Sequence, residues 1–406
     1  MENNNLSTSI KAVAALLSLV FIVVFFYALA TNIKNKPASV AENGKTETAA
    51  AEVSQDSQSD TPMSVEKEAD PEAYSQALSL WNDEAPLKNQ LTEYIKNVTD
   101  SASKDFIPVK DRIAVFDFDG TLFCETDPNY FDYMLLMHRV LEDENYKDKA
   151  SDFEKETANK IKEQNEKHTS FDGLETDHGK CVATAFAGMT FDEFNDYIAE
   201  FKKQPMESYE GMNRGDGFYE PMLEVVNMLT ENDFKVYIVS GTDRFIVRGL
   251  LKDSVLDLPP SQIIGSDELV KASGQEDTDG LKYQLTKDDE LILGGQFIIK
   301  NLKMNKVSVI QREIGQKPVL SFGNSTGDSS MANFVINNNP YKSLAFMLCC
   351  DDLERENGNE EKADKMYGLC EENGWTPVSM KNDWKTIYKE GVVKVTSENE
   401  ELQNAA

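Results

Sequence analysis

Short apolar segments that end abruptly in polar residues restrict the fold of this chain more than any other feature. Each is four to six residues long and is bounded by polar residues or glycine, as buried strands are. The segments are 113–116, 236–239, 318–322 and 343–348. Helix-like patterns separate them, and short apolar strands that alternate with helices favour a parallel sheet covered on both faces. The sequence therefore predicts an α/β fold with three layers.

Three of these segments are followed by polar residues of an unusual kind. Asp117 and Asp119 follow the first, Ser-Gly-Thr at 240–242 follows the second, and Gly-Asn-Ser-Thr-Gly-Asp at 323–328 follows the third. Lys306 stands before the third, at the start of a helical pattern. Ligands of an open parallel sheet bind at the carboxyl ends of its strands, so we expect these groups to form one site.

The residue types at this predicted site suit a phosphoryl group together with a divalent cation. Magnesium prefers oxygen ligands and is commonly held by one or two carboxylates, with water and phosphate completing its shell. A lysine and a hydroxyl group would neutralise the phosphoryl oxygens, and a carboxylate close to phosphorus can attack it covalently. We therefore expect Mg²⁺ as cofactor and a small phosphorylated substrate. Any one of these residues alone would more simply be a turn or a solvated helix residue.

Taken in order, the segments "DFDGTLF", "IVSGT", a lysine and "FGNSTGDSSM" resemble the four motifs of the haloacid dehalogenase-like hydrolase superfamily. The likeness covers about residues 105–350 and is strongest to the branch similar to phosphoserine phosphatases. It implies a Rossmann-like three-layer core and a mainly helical cap inserted after the first motif strand. It also implies a phosphatase, a hydrolase acting on phosphoric monoesters.

The resemblance assigns roles to individual residues. It implies that Asp117 is the nucleophile, which becomes an aspartyl-phosphate, and that Asp119 is the general acid and then the general base. Ser240, the amide of Gly241 and Lys306 would bind the phosphoryl group. An acid at position 119 favours phosphate esters over carbon–halogen bonds, because an alkoxide needs a proton to leave and a halide does not.

The same resemblance implies that the metal ligands are Asp117, Asp119 through its backbone carbonyl, Asn324 and Asp328. Position 324 departs from the pattern, because the branch usually has aspartate there. An asparagine oxygen can coordinate a hard cation but brings no charge, so Asn324 and Asp328 are held jointly as ligands. Asn324 also favours the alternative interpretation, a catalytically degenerate, surface-anchored binding protein on the same fold.

Acidic and aromatic residues alternate where the cap begins. Glu125 and Asp127 lie near Tyr130, Phe131 and Tyr133, a combination that suits a cationic group through charge pairing and cation–π contact. The chain is also similar to bacterial extracytoplasmic phosphorylcholine phosphatases, which implies an amine-bearing ester such as phosphocholine or phosphoserine. The structural alternative is the start of a helix with core aromatics.

The N-terminal part of the chain indicates export. Residues 12–30 are almost wholly apolar and close to the ~20 residues that cross a bilayer as a helix. They predict a membrane anchor or, because "ALA" at 28–30 resembles a cleavage site, a signal segment. Residues 37–75 are acidic and poor in aromatic residues, which is typical of a disordered linker. We expect an extracytoplasmic protein, anchored to the membrane or secreted.

The predicted organisation divides the chain further. We expect the anchor or signal segment in 1–36, and a catalytic core in 76–123 and 215–395. We expect a helical cap in 124–214 and a disordered tail in 396–406. The formal net charge of −30, from 41 basic and 71 acidic residues, argues against nucleic acid as a partner.

Overall fold

The computed structural model describes residues 76–396. Three segments lie outside the described residues: the apolar segment 12–30, the linker 37–75 and the tail from 397 onward. What the sequence predicts for them stays a prediction. No helix within 76–396 is long and apolar enough to cross a bilayer.

The strands form a seven-stranded sheet and a separate two-stranded one. Their bounds are β1 Ile113–Phe116, β2 Tyr209–Glu210, β3 Lys235–Asp243, β4 Ile263–Ala272, β5 Leu291–Ile299, β6 Leu320–Gly323, β7 Leu344–Cys349, β8 Thr376–Ser379 and β9 Val393–Lys394. The large sheet has the order β5-β4-β3-β1-β6-β7-β8, and β2 pairs with β9. Within the large sheet β5 runs antiparallel to β4, and the other pairs described are parallel.

Helices cover this sheet and fill the stretch between β1 and β3. Their bounds are α1 Pro86–Thr99, α2 Phe131–Met137, α3 Asp152–Lys167, α4 Leu174–Ala185, α5 Phe191–Phe201, α6 Glu220–Glu231, α7 Arg244–Leu251, α8 Met304–Val309, α9 Ser329–Ile336 and α10 Glu360–Asn373. Apolar clusters lie on both sides of the sheet. The predicted α/β fold, with a parallel sheet between helical layers and helices inserted after β1, is confirmed.

Strand β1 lies in the middle of the sheet, and its pairing sets the position of the site. Phe116, its last residue, is paired with Ile238 of β3 and with Phe322 of β6. The rings of Phe116 and Phe322 stack with their centroids 4.1 Å apart. Because the three strands are parallel and in register, the residues that follow them emerge at the same edge of the sheet.

Strand β3 is longer than the predicted segment 236–239. It continues to Asp243, but its register with β4 shifts between Val239 and Asp243. The predicted Ser-Gly-Thr sequence at 240–242 therefore lies in an irregular extension of the strand and not in a loop. Irregular pairing of this kind is common beside active sites, because it redirects side chains.

The hairpin of β4 and β5 makes a contact that the sequence did not indicate. The amide of Gly188, just after α4, donates to the carbonyl of Leu293 at 2.8 Å, and the amide of Leu293 donates to Met189 at 3.0 Å. A Cβ at Gly179 would lie 2.7 Å from the ring of Phe297. The hairpin therefore packs closely against the inserted helices.

A buried carboxylate holds the two connections between the inserted helices and the core. Glu356 is fully buried and accepts hydrogen bonds from the hydroxyls of Thr126, Tyr209 and Tyr388. Thr126 precedes the first inserted helix, Tyr209 follows the last, and Tyr388 belongs to the C-terminal segment. One side chain thus fixes both connections to the core.

Candidate active site

Lys306 joins two of the predicted acids at the carboxyl edge of the sheet. Its Nζ donates to Oδ1 of Asp117 at 2.5 Å and to Oδ1 of Asp328 at 2.6 Å. Helix α8 brings this lysine to the site, and the amide of Lys303 beside it donates to the carbonyl of Gly327 at 2.8 Å. Three residues that are far apart in the sequence thus form one buried Asp–Lys–Asp group.

The charges of this group depend on one another. Burial, and then the charge of Asp328, raises the pKa of Asp117 to about 7, although Lys306 acts to lower it. Burial acts to lower the pKa of Lys306, but Asp117 and Asp328 outweigh it and raise this pKa above its ordinary value. The lysine therefore carries its positive charge at neutral pH.

Replacing this lysine is expected to destabilise the fold. In Lys306→Met, the Asp117 and Asp328 carboxylates stay buried without their counter-charge, so the free energy of unfolding should fall by about 3–5 kcal/mol. Urea unfolding at pH 8 in the presence of a chelator measures this loss in the free energy of unfolding. Lys303→Met is the matched control, because Lys303 is exposed and lies in the same segment. Equal losses for the two variants would contradict the expectation.

The loop after β6 is built around Asp328. Its Oδ2 accepts from the amide of Asn324 at 3.2 Å and from the amide of Ser325 at 3.0 Å. A Cβ at Gly323 would lie 2.6 Å from the Cβ of Asp328, so glycine is needed for the loop to close. Gly120 has a φ of +71°, and a Cβ there would lie 1.9 Å from Nδ2 of Asn324. The two loops are therefore in direct contact.

The oxygen atoms at this contact fit a hard divalent cation. Oδ1 of Asn324 is buried and has no hydrogen-bond partner among the described residues, and Asp119 would add its backbone carbonyl. The carboxylates of Asp117 and Asp328 lie beside them. In the described part of the chain, no group of three or more His, Cys, Asp and Glu side chains is arranged to hold a metal ion. The ligands that the chain can offer to Mg²⁺ are therefore carboxylate, amide and carbonyl oxygens, and water and phosphate would complete the coordination shell.

Among residues 76–396 the ion pairs of Lys306 are with Asp117 and Asp328, and Asp119 is held from β3. Its Oδ2 accepts from Oγ1 of Thr242 at 2.7 Å, and the amide of Thr242 donates to Oγ of Ser240 at 3.0 Å. Burial, and next the charge of Asp132, raises the pKa of Asp119 well above its ordinary range. A raised pKa makes a carboxyl group better able to hold a proton and donate it to a leaving oxygen. Thr242 was not predicted as a site residue, although it ends the "IVSGT" motif.

The irregular part of β3 at Ser240 and Gly241 is fixed through its carbonyl groups. The carbonyl of Ser240 accepts from Nδ2 of Asn301 at 3.0 Å, and that of Gly241 accepts from Oγ of Ser266 at 2.6 Å. A Cβ at Gly241 would lie 2.7 Å from the side chain of Leu302. Glycine at 241 therefore allows this close approach, and the two hydrogen bonds hold this part of β3 beside Thr242 and Asp119.

Two residues of the predicted cationic subsite have other roles. Asp127 is buried and pairs with Arg214 at 3.1 Å, so its carboxylate is not free for a substrate. The ring of Phe131 packs edge-on against Phe201 at 5.3 Å within the core. For Asp127 and Phe131 these contacts favour the structural alternative over the cation-binding one. Glu125 stays beside the site, because a Cβ at Gly120 would lie 2.7 Å from its carboxyl group.

Comparison with known protein families agrees with this geometry. The model of the haloacid dehalogenase-like hydrolase family matches residues 114–333. The chain belongs to this family. The match includes all the residues predicted for the site, and it makes the protein a hydrolase of the haloacid dehalogenase-like family. No curated protein matches the sequence.

Several solved structures are similar to this hydrolase at low sequence identity. A conserved protein of unknown function from Anaerococcus prevotii is 14% identical, with a TM-score of 0.44, over 75% of this chain and 96% of its own. Cytosolic 5'-nucleotidase IIIB bound to cytidine is 12% identical, with a TM-score of 0.45, over 75% and 90%. A substrate-bound phosphoserine phosphatase is 17% identical, with a TM-score of 0.31, over 63% and 91%.

Proposed function

We propose that this hydrolase is a Mg²⁺-dependent phosphomonoesterase that cleaves a small phosphate ester through a phosphorylated Asp117. The observation that carries the proposal is the Lys306 ammonium, held between the carboxylates of Asp117 and Asp328. This group places a nucleophile beside a fixed positive charge, which is what attack on a phosphoryl group requires.

The first chemical step would transfer the phosphoryl group to the protein. A carboxylate oxygen of Asp117 attacks phosphorus, and the bond from phosphorus to the ester oxygen breaks. That oxygen leaves with the electron pair and takes the proton of Asp119. Lys306, the hydroxyl of Ser240 and the amide of Gly241 offset the charge on the other phosphoryl oxygens.

The second step would release phosphate. Asp119, now ionised, takes a proton from water, and the water oxygen attacks the phosphorus on Asp117. The bond between phosphorus and the Asp117 oxygen breaks, which restores the carboxylate. Mg²⁺ held by Asp117, Asp328, Asn324 and the backbone carbonyl of Asp119 would stabilise negative charge on the phosphoryl oxygens.

The substrate is proposed to be small and to carry one phosphate, because a net charge of −30 repels polyanions. An amine-bearing ester such as phosphocholine or phosphoserine is the class to test first. The proposed extracytoplasmic location is supported by the apolar segment 12–30 and by the acidic, aromatic-poor composition of residues 37–75.

Trapping the intermediate tests the proposal directly. Purified protein is mixed with p-nitrophenyl phosphate and Mg²⁺, quenched in acid and digested, and the peptide that contains Asp117 is examined by mass spectrometry. We expect turnover that a chelator abolishes, and a phosphoryl group on Asp117. Turnover without phosphorylation of Asp117 would contradict the mechanism. The absence of any turnover would favour the degenerate binding protein.

A further inference from the structure

The side-chain amide of Asn324, the residue that departs from the family pattern, has one free end and one engaged end. Its Oδ1 is buried and has no hydrogen-bond partner among residues 76–396. Its Nδ2 meets the loop after β1, where a Cβ at Gly120 would lie only 1.9 Å from it. Because both atoms belong to one planar amide, whatever holds Nδ2 also decides where Oδ1 points.

Glu125 is the group that meets this nitrogen. The same Cβ at Gly120 would lie 2.7 Å from both Cδ and Oε2 of Glu125, so the amide of Asn324 and this carboxylate converge above one glycine. A side-chain hydrogen bond joins them, and Nδ2 is the donor because an ionised carboxylate can only accept. The hydrogen bond therefore leaves Oδ1 of Asn324 as the end of the amide that is free to bind a cation.

The chain on either side of Glu125 is anchored. The amide of Cys124 donates to the carbonyl of Gly217 at 2.8 Å, and the hydroxyl of Thr126 donates to the carboxylate of Glu356. Two fixed neighbours thus restrict the backbone from which the Glu125 side chain extends.

Other charges act on Glu125 without pairing with it. Lys362 acts to stabilise the carboxylate, and Glu356 and Asp328 act against it. No ion pair described within 76–396 joins Glu125 to Lys362. Asn324 is therefore the group toward which this carboxylate is directed.

The charge balance of the site shows what Glu125 adds. The carboxylates of Asp117 and Asp328 pair with the single ammonium group of Lys306, so the three together carry little negative charge for a divalent cation. An aspartate at position 324 would add a negative charge, and Asn324 does not. Glu125 carries that charge one hydrogen bond further from the cation site.

We propose that Glu125 is a positioning residue for the metal ligand Asn324: it holds Nδ2, directs Oδ1 to the cation and supplies the negative charge that position 324 lacks. The proposal rests on the Mg²⁺-dependent phosphomonoesterase function proposed above. Residues that hydrogen-bond to metal ligands commonly contribute ten- to a hundredfold in metal affinity, by orienting the ligand and by adding to its electron density.

Glu125→Gln tests the role through metal binding alone, without substrate. Mg²⁺ is titrated into the protein, and its Kd is obtained from the rise in the midpoint of thermal unfolding, because a cation that binds the native state stabilises it. We expect the Kd to rise about tenfold or more. Glu361→Gln is the matched control, because Glu361 is exposed in the first turn of α10, beside Lys362, and the change removes an equal charge at the surface. The control should keep the wild-type Kd.

A double-mutant cycle shows whether Glu125 acts through Asn324. In the Asn324→Ala background the ligand that Glu125 orients is gone, so adding Glu125→Gln should change the Kd by less than about twofold. If Glu125→Gln cost as much in this background as in the wild type, Glu125 would act independently of Asn324, and the positioning role would be overturned.

An exchange variant tests the charge. Asn324→Asp combined with Glu125→Gln moves the negative charge from position 125 to position 324 and leaves the net charge unchanged. The hydrogen bond can form again with donor and acceptor exchanged. We expect this variant to regain most of the affinity that Glu125→Gln alone loses. A Kd as weak as that of Glu125→Gln would show that Glu125 does not stand in for an acid at position 324.

The outcomes separate the two proposals. If the wild type hydrolyses p-nitrophenyl phosphate with Mg²⁺ and Glu125→Gln binds Mg²⁺ as tightly as the control, the positioning role is overturned and the phosphatase stands. If the wild type neither binds Mg²⁺ nor hydrolyses the ester, both proposals fail. Should Glu125→Gln not fold, Glu125→Asp replaces it, because the shorter side chain keeps the charge but withdraws the carboxylate from Asn324. An unchanged Kd for Glu125→Asp would then overturn the positioning role.

Discussion

Asp117→Asn is expected to lower kcat for p-nitrophenyl phosphate by about 10⁴-fold or more. The amide has the size of the carboxylate but is not a nucleophile towards phosphorus. Lys306 would still donate to Asp328, at 2.6 Å in the structure, so the remaining site should keep its arrangement. Steady-state turnover at saturating Mg²⁺ measures the effect, and the quenched variant should carry no phosphoryl group at position 117.

A control in the segment just before the same strand shows that the loss is chemical. Asp111 lies before β1, at the opposite end from the site, and accepts from the hydroxyl of Tyr341 at 2.8 Å. Asp111→Asn should therefore turn over substrate at close to the wild-type rate. If Asp117→Asn retained more than a tenth of the wild-type kcat, Asp117 would not be the nucleophile, and the site would need another attacking group.

The position of the site could be predicted because it depends on local patterns. Segments such as 113–116 are apolar throughout, short and bounded by polar residues, which is typical of strands buried on both faces. Once these strands are taken as parallel, Asp117, Ser240 and Asp328 have to emerge at one edge. In the structure Asp117 and Asp328 both form ion pairs with the ammonium group of Lys306.

The cap-side contacts could not be predicted in this way, because they join residues without any local pattern. Asp127 pairs with Arg214 across 87 positions in the sequence, and nothing near Asp127 indicates this partner. The contact of His178 with the carbonyl of Asp132 spans 46 positions. The role of an acid at the start of the cap is therefore decided by tertiary packing.

The β4–β5 hairpin was missed for a related reason. Strand β5 has mixed burial along its length and two consecutive glycines, Gly294 and Gly295, which weaken a strand pattern. These glycines serve packing, because a Cβ at Gly294 would lie 2.7 Å from the carbonyl of Leu269 and one at Gly295 would lie 3.1 Å from Ala187. Gly294 thus lets the two strands of the hairpin approach each other and Gly295 lets the hairpin approach the cap, and the same two residues obscure the strand in the sequence.

Asp119→Asn is expected to lower kcat/KM for alkyl phosphates by about 10³-fold, and by much less for aryl phosphates. An alkoxide is a poor leaving group and needs the proton of Asp119, whereas a nitrophenolate leaves without one. The asparagine can still accept the hydrogen bond from Thr242, at 2.7 Å in the structure. The variant therefore keeps the position of the side chain and loses only its ability to donate a proton.

The measurement is the slope of log kcat/KM against the pKa of the leaving alcohol, because kcat/KM reports only the steps up to ester cleavage. The slope should be steeper for Asp119→Asn than for the wild type. Thr242→Val removes the hydrogen bond but keeps the acid, so it should lower the rates and leave the slope near the wild-type value. An Asp119→Asn loss that is equal for alkyl and aryl esters would show that Asp119 holds the site together and does not deliver the proton. If Asp119 is also the base of the second step, Asp119→Asn should accumulate protein phosphorylated on Asp117 with aryl esters, because hydrolysis of that intermediate is slowed. If Asp119 only holds the site together, phosphorylated protein should not accumulate.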